Sequence, residues 1–119
     1  MHHLLLVASL LLVGGCAESS PSSDAPQTAV VEDGSVEITG NDRLEFLPDD
    51  VTATSGDLTI QLTCAGAVPH NLLIEETDTA VAECGGEGEL SLEPGTYTFY
   101  CSIRGHRQAG MEGTLTIEG

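Results

Sequence analysis

GTYTFYCSIRGHRQAGMEGTLTI, residues 95–117, alternates apolar and polar positions at both ends and breaks that rhythm in the middle. Tyr97, Phe99 and Cys101 fall on one face of a strand, and Leu115 and Ile117 on one face of the next, because strand side chains repeat every two residues. Between them Gly105, Gly110 and Gly113 allow a tight loop, which carries His106 and Met111. The same period two recurs upstream at Val36 and Ile38, Leu44 and Phe46, Val51 and Ala53, and Leu58, Ile60 and Leu62. It continues at Leu72 and Ile74, then at Leu90 and Leu92. Turn signals separate these runs at Gly40-Asn41-Asp42, Pro48-Asp49-Asp50, Ser55-Gly56-Asp57, Gly85-Gly86 and Pro94-Gly95. The expectation is an all-β domain over residues 35–119, a single Greek-key β-sandwich of seven or eight mainly antiparallel strands. No Trp and only two Phe and two Tyr leave a core of Leu, Ile and Val.

With 119 residues the chain has room for one domain. The apolar run Leu4 to Val13 is too short to cross a bilayer as a helix and suits a signal peptide over residues 1–15. Val13-Gly14-Gly15-Cys16 resembles a bacterial lipobox, which implies a lipid on Cys16; a plain secretory signal with a chance cysteine is the alternative. Either reading exports the protein, to the outer face of the cytoplasmic membrane or the periplasm, where disulfides persist. Residues 16–34, rich in Ser, Pro and acid, read as a flexible tether.

Four side chains stand out against this framework: His70 in VPHNLLI, and Cys101, His106 and Met111 in the quoted stretch. Each has an ordinary reading alone, the Cys and Met as core and the His as surface groups. Two imidazoles, a thiolate and a weak thioether together form the donor set of a blue-copper site, which holds Cu(I) and serves Cu(II). One copper ion is the expected cofactor. Pro69 biases Val68 towards an extended shape at the start of a strand beside that site.

The spacing Cys101-x4-His106-x4-Met111, the GTYTFY strand before it and the Pro-His-Asn segment resemble the cupredoxins, the family of plastocyanin, azurin and rusticyanin. LEFLPDDVTATSGDLTIQLTC, residues 44–64, is similar to the family's opening strands. The resemblance implies His70, Cys101 and His106 as equatorial ligands and Met111 as the axial one. It implies that Asn71 hydrogen-bonds near the cysteine sulfur and ties the two ligand loops together. Assigning Cys16 to lipid and Cys101 to metal leaves Cys64 and Cys84, read as a disulfide with two free buried thiols as the alternative. The expected activity is one-electron transfer with redox proteins, a cytochrome, oxidase or reductase, by a monomer held at the membrane by its lipid alone.

Charge narrows the partners. Nineteen Asp and Glu against three Arg and no Lys give a net charge of −16, which excludes nucleic acid. The acidity serves either steering of a basic partner or solubility. Arg104 and Arg107 flank His106 and mark a docking rim, or else pair with nearby carboxylates. An enzymatic reading fails: a second copper centre needs more histidines, and His2 and His3 leave with the signal. A copper chaperone or storage protein is the alternative function, although Met1 and Met111 are the only methionines for a soft Cu(I) cluster.

Overall fold

Alternation along Asp57–Ala65 shows how this chain builds sheets: Leu58, Ile60 and Leu62 are buried while Gln61 and Thr63 face solvent. The computed structural model describes residues 27–119. Among these residues ten strands follow one another: β1 Thr28–Val31, β2 Ser35–Asn41, β3 Phe46–Leu47, β4 Asp50–Ala53 and β5 Asp57–Ala65, then β6 Asn71–Ile74, β7 Thr79–Glu83, β8 Glu87–Ser91, β9 Gly95–Tyr100 and β10 Glu112–Ile117. They form a six-stranded sheet in the order β1-β4-β10-β9-β6-β7 and a four-stranded sheet in the order β3-β2-β5-β8. Five pairings are antiparallel; β1 with β4, β4 with β10, and β2 with β5 are parallel.

The expected all-β sandwich is present. Ile38, Ile60 and Leu62 of one sheet and Val51, Leu72, Ile74, Phe99 and Leu115 of the other are almost wholly buried in one core. Full burial of such a side chain contributes about 1.5–3 kcal/mol. Phe46 and Phe99 bring one ring from each sheet to a centroid distance of 5.5 Å with planes tilted by 57°, an arrangement favoured by the ring quadrupoles.

Two strands exceed the expected count, and both lie at edges. β7 buries only Ala82, so it has no apolar stripe to read. β1 lies inside the segment expected to be tether, and moves the domain boundary back from residue 35 to at least Thr28. Its Val31 enters the core while Val30 is 70% exposed, and its backbone is tied on: the Asp50 N–H donates to the Gln27 carbonyl (3.1 Å) and the Thr54 N–H to the Val31 carbonyl (3.0 Å). Residues 17–26 of the expected tether, the signal segment 1–15 and Cys16 lie outside the described residues. Leu44 also departs from its expected strand. The Asn41 side-chain oxygen accepts the Arg43 and Glu45 N–H groups at 3.0 and 3.1 Å, an Asx turn that sets Leu44 at φ 60° and delays β3 to Phe46. Among the described residues no helix is long and apolar enough to cross a membrane.

Candidate metal centre

The β9–β10 ladder sets out half of the site. Its register pairs Glu112 with Tyr100, and one step further the Cys101 N–H donates to the Met111 carbonyl at 3.2 Å. Cys101 and Met111 therefore face each other across the mouth of the loop. Within it the His106 N–H donates to the Ile103 carbonyl at 3.0 Å, and the Met111 N–H to the His106 carbonyl at 3.1 Å. A 3₁₀ turn, Arg107–Ala109, fills the space between, closed by Gly110 at φ 109°. That left-handed backbone favours glycine.

His70 comes from another direction, on the segment between β5 and β6. A Cys64–Cys84 disulfide closes this segment, with Cα atoms 5.3 Å apart; the expected pairing is present. The His70 N–H donates to Cys84 Sγ at 3.1 Å, so the disulfide touches the backbone of the histidine itself. Asp42 grips the same segment, accepting the Ala67 and Val68 N–H groups at 3.2 and 3.0 Å. Those two bonds hold its carboxyl below the usual carboxylate range.

The two halves meet at three donors. The ligand atoms of His70, Cys101 and His106 all lie within 4.8 Å of one another, with Cys101 Sγ 3.5 Å from His106 Nδ1. The imidazole rings stand edge to face, centroids 5.3 Å apart. Cys101, a free thiol, is fully buried and His70 nearly so, while His106 is half-buried. Neither ring nitrogen of His70 has a hydrogen-bond partner. Burial above all lowers its pKa, the Asn41 carbonyl opposes this without completing a hydrogen bond, and nearby His106 lowers it further while Asp42 raises it. A buried ring nitrogen left without a partner costs about 1–3 kcal/mol unless something engages its lone pair. A metal ion does so. One thiolate and two imidazoles in this arrangement suit a type 1 copper site.

Met111 is fully buried beside the cluster. Room for it depends on Gly40, which reads in the sequence as part of a turn but lies within β2. A Cβ at Gly40 would stand 2.8 Å from His70 Cδ2 and 3.0 Å from Met111 Cε. A glycine inside an alternating strand is the signal of such a close approach.

Asn71 joins the two halves, although its bonds go to the residue after the cysteine. Its Nδ2 donates to Ser102 Oγ and its Oδ1 accepts the Ser102 N–H, both at 2.8 Å. Arg107 is engaged as well. Its Nη2 lies 3.0 Å from Glu75 Oε2, its Nε donates to Glu112 Oε2 at 3.0 Å, and the guanidinium stacks over Tyr100 at 4.3 Å. This charge is matched by carboxylates, the pairing expected as the alternative to a docking role. Arg104 is exposed and forms no ion pair among the described residues.

The chain is similar to known proteins in sequence and in fold. Residues 32–118 match the family described as copper binding proteins, plastocyanin/azurin family. A plastocyanin of Nostoc punctiforme is 31% identical over 135 aligned positions, covering 98% of this chain and 91% of the relative. A plastocyanin of the fern Dryopteris crassirhizoma is 31% identical over 93, covering 62% and 88%. The crystal structure of reduced auracyanin from Roseiflexus castenholzii shares the fold, with a TM-score of 0.58 at 21% identity over 72% of this chain and 98% of that one. The chain belongs to the plastocyanin/azurin family of copper binding proteins, the cupredoxins.

Proposed function

We propose that this protein is a one-electron carrier whose copper would be held by His70, Cys101 and His106, with the Met111 thioether as a weaker fourth donor. When bound, copper supplies the exchange of a single electron between its Cu(II) and Cu(I) states. The observation that carries the reading is the convergence of a buried thiol and two imidazoles within 4.8 Å, one imidazole having no other partner for its nitrogens. Loops fixed by backbone bonds, by the disulfide and by Asn71 keep these donors in place, so little rearrangement accompanies a change of charge. The half-buried His106 ring is the site's opening to solvent, and a redox protein partner docks over its edge. Arg104 lies on that rim, and the net charge of −16 steers or solubilises the whole.

Export fits this role. Residues 1–15 act as a signal peptide and Cys16 carries the lipid, so the domain works as a monomer outside the cytoplasmic membrane, held there by the anchor alone. A chaperone or storage role is the competing function; ligands as buried as Cys101 and His70 favour retention of the ion over its release. The test is to add Cu(II) to the protein and record visible absorption and EPR before and after ascorbate. An intense blue band with narrow copper hyperfine splitting, bleached by reductant and restored by oxidant, is expected. Pale, square-planar copper that a chelator strips at once would overturn the carrier reading.

A further inference from the structure

The turn Arg107–Ala109 buries no residue, and glycines with left-handed backbones stand at 105 and 110. Nothing apolar anchors this stretch, yet it carries His106. Beyond its own backbone bonds it is held by one guanidinium, two of whose three contacts land next to a donor. Arg107 itself follows His106, Glu112 follows Met111, and Tyr100 precedes Cys101. Glu75 opens the 3₁₀ turn after β6, the strand that begins one residue past His70. The planar fork of arginine can meet two carboxylates and lie over a ring at the same time, which the point charge of lysine cannot do.

We propose that Arg107 is a positioning residue for the copper centre: bound to Glu75 and Glu112 and stacked on Tyr100, it straps the loop that presents His106. The proposal rests on the copper reading above. Ion pairs this exposed contribute little to global stability, so the strap acts on the site and hardly on the fold. Groups hydrogen-bonded directly to metal ligands are worth about tenfold to a hundredfold in metal affinity; Arg107 holds the loop and not a ligand ring, so the low end applies.

The experiment compares copper-loaded wild type with Arg107→Ala, Arg107→Lys and Arg104→Ala, reading copper retention against bicinchoninate, the EPR hyperfine splitting, and the Tm of the apo form. Arg107→Ala should lose copper about tenfold more readily and change its hyperfine splitting, with little change in Tm. Arg107→Lys should not restore retention, and Arg104→Ala, which removes the same charge, should match wild type. Wild-type retention in Arg107→Ala, full rescue by lysine, or an equal loss in Arg104→Ala would overturn the strap. Should Arg107→Ala fail to fold, Glu75→Gln and Glu112→Gln each remove one arm; partial copper loss supports the proposal and unchanged retention rejects it. A wild type without a blue band would sink the copper reading, and the strap is then tested on the apo protein. Faster amide exchange at His106 and Met111 in Arg107→Ala would support it, and unchanged exchange would reject it.

Discussion

His70 and His106 face each other across one cluster but are held by opposite means. His70 is buried, and its segment is fixed by a covalent crosslink, by the bond from its own N–H to Cys84 Sγ, and by the Asp42 carboxylate on Ala67 and Val68. His106 is half-buried on a glycine-rich turn, fixed by short backbone bonds and by a guanidinium at the surface. The difference divides the labour of the site. On the proposed function, a sealed ligand on a stiff segment would keep the ion, and a ligand open to solvent would pass charge to a partner.

The largest expected effect breaks this comparison directly. Truncating either histidine to glycine should abolish the blue band, but free imidazole should restore it only in His106→Gly, whose vacated space opens to solvent. Visible absorption during an imidazole titration checks this; rescue of both variants would mean that His70 is no more sealed than His106.

Next in size is the crosslink. Replacing Cys64 and Cys84 by serine should lower stability to urea by about 3 kcal/mol, as expected for a closed loop with a sequence separation of 20. The variant should also release copper faster than one matched in stability but altered at β1, such as Val31→Ala. Equal release from both would make the disulfide a generic staple with no bearing on His70.

Gly40→Ala comes third, at about 1–3 kcal/mol for forcing a methyl against His70 and Met111. It sharpens the comparison by pressing on the buried side alone, so the blue band should shift while the imidazole response at His106 stays as in wild type. Smallest is Asn71→Ala, about 1 kcal/mol for the paired bonds to Ser102, measured by thermal unfolding with and without copper. A cost that appears only with copper bound would show that Asn71 serves the site more than the sandwich.

What could be read from sequence follows from what each signal encodes. Period-two alternation reports burial on one face, so the central strands around Ile38, Ile60, Phe99 and Leu115 were legible. The edge strands Thr28–Val31 and Thr79–Glu83 were not, since both bury little, and the first is placed by pairing with Asp50–Ala53, distant in the chain. The donor set was legible because thiolate, imidazole and thioether are rare together and their chemistry is specific. The supports around it were less so. Gly40 looked like one more turn residue, and the carboxylates that occupy Arg107 sit on other elements, so only the folded chain shows which of the two flanking arginines is paired with them.

The copper site is tested most directly by X-ray absorption at the copper edge of the protein loaded with one equivalent of Cu(II). One short sulfur shell from Cys101 and one shell of two nitrogens from His70 and His106 are expected, nearly unchanged in distance after reduction. A coordination shell of nitrogen and oxygen alone, or one that rearranges when the metal is reduced, would contradict it.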